Sequence, residues 1–176
     1  MTHPSLRPSL AAALMGLAAT TLAAAPVAAA DRHNLYRYNG WTVDLVVRED
    51  ASMACVAGTH NEKDEVLAIR VAPTSGISVH LVFRNPRSGV MPLNLAIHGV
   101  KDWTFNEFDS FFYGGSFTFW NETAAQNFLQ DLARGRALSV SSPSSQRIST
   151  RFLIEGAAPA LDALAECTAL IRGPGV

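Results

Sequence analysis

Apolar residues recur at every second position along much of this chain, and that period most constrains what it can fold into. Ile77, Val79, Leu81 and Phe83 alternate with Ser78, His80 and Arg84. Successive side chains of a strand point to opposite faces, so the spacing predicts a strand with one face against a core. Trp41, Val43, Leu45 and Val47 alternate with Thr42 and Asp44, and Leu93, Leu95 and Ile97 alternate before Gly99. Residues 53–57 form a short apolar run. Residues 58–64 read as a polar turn before a returning strand over 65–71, which together predict a hairpin. Residues 85–89 (NPRSG) are a turn by their Pro and Gly.

The period changes after residue 120. Ala125, Phe128, Leu129 and Leu132 lie at i, i+3, i+4 and i+7, one apolar helix face. Thr123 with Gln126 matches a capping box, and Gly135 suits the stop. Two more strands are expected over 136–141 and 148–155. A last helix is expected over about 158–171, with Pro159 near its start and Gly173-Pro174 past its end. Strands, helix, strands, helix is not a regular β–α alternation, so a doubly wound parallel sheet is not expected. The expected fold is mainly β with two helices (α+β): an antiparallel β-sandwich or barrel-like sheet with the helices packed on it.

Residues 1–30 hold 19 apolar residues, one Arg and no acid, ending in Ala28-Ala29-Ala30 before Asp31. A polar start, an apolar run and a small-residue cleavage site make a secretory signal peptide. The expectation is a signal over 1–30 and a single exported globular domain over 31–176, periplasmic or secreted, with no membrane span. The whole chain has 176 residues and a formal charge of −1. That near-neutral balance gives no broad attraction to nucleic acid or anionic lipid.

Export places Cys55 and Cys167 in an oxidising compartment, where an even pair predicts one disulfide. Neither lies in C-x-x-C, and neither has a neighbouring His or basic residue to make a reactive thiolate. Leu164, Cys167 and Ile171 share one face of the last helix, so the thiol is expected to point inward.

Motifs for chemistry are sparse. Phosphate-binding glycine patterns, H-E-x-x-H and the G-x-S-x-G elbow are absent from the sequence, and no cofactor is implied. Ser78 and His80 sit on one side of their strand and read as a solvated face. His60, Glu62, Asp64 and Glu65 read as a charged hairpin tip, since they lack the spacing of a calcium loop. His98 and Asp102 bracket a turn at hydrogen-bonding range. Asn121-Glu122-Thr123 has the form of a glycosylation sequon, but helix capping explains it better.

One segment stands out. Nine of the eighteen positions over 103–120 are aromatic, of fifteen aromatics in the whole chain. Trp103/Phe105 and Phe117/Phe119 keep period two, as core filling requires. Phe111, Phe112 and Tyr113 are consecutive and must face both sides of a strand, which predicts surface exposure for some of them. Gly114-Gly115 reads as a tight turn or a bulge. Phe111, Phe112 and Tyr113, with Trp103 and Trp120, form the candidate binding patch.

Several short patterns carry a resemblance. Phe152-x-x-x-Gly156 is followed by Ala160-Leu161, Leu164 and Cys167. An early strand holds Trp41-Thr42-Val43 with a Cys soon after, and a helix holds Leu129, Leu132 and Gly135. Together these resemble the invasion-associated locus B-like family of small exported proteobacterial proteins. The resemblance touches both ends of the exported part and implies a β-rich envelope or host-interaction protein without catalysis. It carries over no catalytic residue. The functional expectation is a non-enzymatic exported domain binding a protein or envelope component. The alternatives are a small-molecule or lipid carrier with an aromatic-lined cavity, and a hydrolase with a Ser/His/Asp set built on His80 or His98.

Overall fold

The computed structural model describes residues 30–83, 89–111, 114–119 and 121–173. Most of the expected signal peptide, residues 1–29, lies outside them. Ten strands form one sheet: β1 (Asp31–Tyr38), β2 (Trp41–Val47), β3 (Met53–His60), β4 (Val66–Ala72), β5 (Gly76–Val82), β6 (Gly89–Ile97), β7 (Lys101–Phe111), β8 (Gly114–Thr118), β9 (Ala137–Ser142) and β10 (Ser145–Leu153). Two helices are added, α1 (Glu122–Arg134) and α2 (Ala157–Arg172). The spatial order is β1-β2-β3-β4-β5-β8-β7-β6-β9-β10, and every pairing is antiparallel.

Chain order is kept from β1 to β5 and then reversed over one block of three strands. The chain skips two places to β6, meanders back through β7 and β8, and pairs β8 with β5, a Greek-key arrangement. Helix α1 then carries it back across the width of that meander to β9, which pairs with β6.

Alternation sets the faces. Val43, Ala57, Ile69, Val79, Leu95 and Val140 all point inward and are buried. One apolar cluster runs from Trp41 on β2 to Phe152 on β10 and on to Leu164 of α2. A single flat sheet cannot give both ends one core, so the sheet is strongly curled. It is not closed: no backbone pairing joins β1 to β10 among the described residues. Side chains bridge the two ends instead. Asn39 donates to the Glu155 carbonyl at 2.9 Å, and Asn61 donates to Thr150 Oγ1 at 2.7 Å. The outcome is the barrel-like alternative: the pairings make one sheet rather than two facing ones.

Helix α2 lies across β1 to β4 and is bonded to β3 through the Cys55–Cys167 disulfide, 112 positions apart in sequence. Both sulfurs are buried, and Leu164 and Cys167 share the inward face. Gly156 opens the helix at φ +93°, where a Cβ would also press on Asn39.

Several local expectations are corrected. β3 runs on to His60, so the β3–β4 turn starts at Asn61, where Asn61 Oδ1 accepts from the Lys63 and Glu65 amides. The N-cap of α1 is Asn121, which accepts from the Ala124 amide at 2.8 Å, so the Thr123/Gln126 capping box is not used. Gly114 and Gly115 are neither turn nor bulge but open β8. A Cβ on Gly114 would strike the Leu81 carbonyl, and one on Gly115 would strike the Asp109 carbonyl and the Phe108 ring. Only glycine lets β8 pass this close between β5 and β7.

Candidate binding cleft

The cleft begins with a proline. Pro92 lies in the middle of β6, where it has no N–H to give the ladder. Met91 pairs with Phe108 and Leu93 with Phe105, so Asn106 and Glu107 stand against Pro92 alone. This two-against-one arrangement is a bulge, and bulges bend the strand that carries the extra residue. Beyond it β7 leaves β8. The two strands pair only through Asp109–Phe111 against Gly114–Ser116. From Lys101 to Phe108, β7 has β6 on one side and no described strand on the other.

Aromatic rings floor the resulting split. Phe105 stacks on Phe117 with ring centroids 3.8 Å apart. Phe128 of α1 meets Trp103 edge-on at 5.5 Å and lies tilted against Phe119 at 5.2 Å. Offset and edge-on pairs of this kind add roughly 0.5–1.5 kcal/mol each beyond area burial. Phe117 and Phe128 are buried, whereas Trp103, Phe105 and Phe119 are partly buried and packed against the core. The cleft measures about 880 Å³ and is lined by those four sheet aromatics together with Glu107 and Asp109.

Trp103 is held in place. Its indole N–H donates to Asp131 Oδ2 at 3.1 Å, and Asp131, buried on α1, is also paired with Arg134. Lys101 Nζ sits 4.6 Å from the centre of the Trp103 ring, a cation–π contact.

The sequence-derived patch is thus placed in part. Trp103 lines the cleft. Phe111 ends β7 and pairs with Gly114 through its backbone. Phe112, Tyr113 and Trp120 lie outside the described residues. Phe105, Phe117 and Phe119, read in the sequence as core, complete the floor, with Phe128 buried against them. A signal for the cleft was present. Trp103 and Phe105 are odd-numbered and Phe108 is even, yet all three face inward, which requires an inserted residue between them.

Other candidate chemistry is incomplete. Ser78 Oγ and His80 Nε2 are 2.9 Å apart, and His98 Nε2 lies 2.7 Å from Ser139 Oγ rather than bonding Asp102. Ser78 is buried and His80 half-buried, so this face is less solvated than its alternation implies. Burial, aided by the nearby Arg70 cation, holds the His80 imidazole below its ordinary value. Among the described residues no carboxylate hydrogen-bonds either ring, so neither pair makes a triad.

The expected charged tip is also partly internal. Glu65 is buried, takes hydrogen bonds from Asn61 and Thr150, and ties the hairpin to β10. No group of three metal-ligating side chains occurs among the described residues. Between α1 and α2 runs a second groove of about 570 Å³, lined in part by Leu129, Leu161, Ala165, Asp162 and Arg172. No described helix is long and apolar enough to cross a membrane. Comparison with protein-family models, curated proteins and solved structures finds no match.

Proposed function

We propose that this chain is a non-enzymatic exported domain that binds a protein or envelope component through the cleft between β7 and β8. The observation that carries the reading is the cleft lined by the partly buried rings of Trp103, Phe105 and Phe119. Folding alone favours burying such rings, and here a bulge keeps three of them in reach of solvent. The polar start, apolar run and Ala-x-Ala end of residues 1–30 support export, as does the long-range disulfide. The resemblance to the invasion-associated locus B-like family at both ends of the chain points the same way.

A carrier reading is less well supported, because the rings pack on one another instead of lining an enclosed cavity. Among the described residues, the hydrolase reading lacks its acid at both histidines.

The test uses Nile red, a neutral apolar dye, with residues 31–176. The dye is expected to bind saturably with one site. Thr118→Arg, which adds bulk at an exposed position lining the cleft, is expected to weaken dye binding at least fivefold without changing the unfolding midpoint. Unaltered dye binding in that variant would refute the assignment.

A further inference from the structure

We infer that the cleft takes an extended polypeptide, added as a strand to the free edge of β7 and carrying basic residues between apolar ones. This rests on the reading of the cleft as a binding site and names its ligand class. A strand directs the backbone N–H and C=O of alternate residues to each side. From Lys101 to Phe108 one side of β7 is taken up by β6, and the other faces the cleft without a described partner. Such a row is a template for another strand.

Of the outer edges, β10 is already covered in part, because Asn61 donates to the Arg151 carbonyl, and covering groups protect edges from pairing. β1 and β7 each carry a bulge, β1 between Asn34 and Tyr36 and β7 at Asn106 and Glu107, so the bulge does not set those two apart. What distinguishes β7 is that its edge runs beside partly buried rings that line a cleft. A strand docked there turns every second side chain towards Trp103, Phe105 and Phe119, which suits apolar or aromatic residues.

Charge decides the rest. Glu107 and Asp109 line the cleft, and neither is ion-paired among the described residues. Lys101 lies over the Trp103 ring. The intervening positions of the segment are therefore Lys or Arg. A neutral polysaccharide could stack on the same rings and donate hydroxyls to the carboxylates, but it would not continue the hydrogen-bond ladder of the backbone edge.

The probe is the blocked heptapeptide Lys-Val-Lys-Phe-Lys-Val-Lys, titrated into residues 31–176 and followed by amide hydrogen exchange. Binding is expected to slow exchange at least tenfold at cleft-facing amides within 102–107. Exchanging Lys for Glu is expected to weaken it at least tenfold. Two further peptides carry backbone N-methyl groups on one or the other alternate set, and at least one is expected to lose tenfold or more.

Equal binding of both methylated peptides would overturn strand addition, as would protection confined to β1 or β10. Protection that rises with protein concentration in the absence of peptide would mean that a second copy occupies the edge, and would overturn it too. If Nile red binds and is sensitive to Thr118→Arg while the peptide does not bind, the cleft stands and strand addition falls. If neither binds, both fall.

Discussion

Reduction of the Cys55–Cys167 bond removes a constraint that spans most of residues 31–176. The bond closes 112 positions. The chain-entropy relation assigns a loop of that length about 5 kcal/mol at 25 °C, as a ceiling. Little side-chain volume is lost with it, because both buried sulfurs remain and part only from bonding to van der Waals distance. Against a typical total of roughly 5–15 kcal/mol, the loss is large without being certain to unfold the domain. At about 2–4 °C per kcal/mol for a chain of this size, the unfolding midpoint is expected to drop by about 10–20 °C. The assay is urea and thermal unfolding of oxidised protein beside protein reduced while unfolded and refolded under reductant. Cys55→Ala/Cys167→Ala serves as a second, non-oxidisable reference. A shift below about 1 kcal/mol in both comparisons would refute the reasoning. It would mean that the contacts of α2 with β1 to β4 hold the helix without the bond.

Three further outcomes follow from the geometry. Gly115→Ala forces a methyl group against the Asp109 carbonyl and within 2.5 Å of the Phe108 ring, so a loss of roughly 1–3 kcal/mol or more is expected in urea unfolding; an unchanged midpoint would show that β8 has room to move. Trp103→Phe keeps a ring on the cleft floor but removes the donor to buried Asp131, at a cost of about 1–3 kcal/mol, read by thermal unfolding. For His80, the folded imidazole titrates below its unfolded value of about 6.5, so the unfolded chain binds more protons between those two values. Stability therefore rises with pH through that window and falls on acidification, and His80→Gln is expected to flatten the slope in unfolding measured from pH 4.5 to 7.5.

Much of the fold was legible because its signals are local. Leu67, Ile69 and Val71, or Val79 and Leu81, reveal their strand by spacing alone, and Phe128 with Leu132 reveals a helix face. The cap of α1 was less legible, since Asn121 and Thr123 are both good caps and only the path of the chain chooses between them. β1 was missed altogether. Almost all of its side chains are exposed, so it carries no apolar alternation and exists because its backbone pairs with β2. Glu65 was misread for a similar reason. Its burial depends on Thr150, 85 positions away, and no local pattern announces such a partner.

The sequence by itself determined the β-rich class, the two helices, the inward face of each regular strand and the pairing of the only two cysteines. Each depends on side-chain period or on a count, which a linear reading preserves. Only the tertiary structure decided that β8 returns to β5, that the sheet curls around one core without closing, and that β7 parts from β8. Those outcomes depend on which distant strands share hydrogen bonds and on how a proline in β6 displaces the register of its neighbour. The aromatic segment shows the division best. Its composition was plain from the start, but whether its rings fill a core or floor a cleft depended on a bulge raised by Pro92, a residue on another strand.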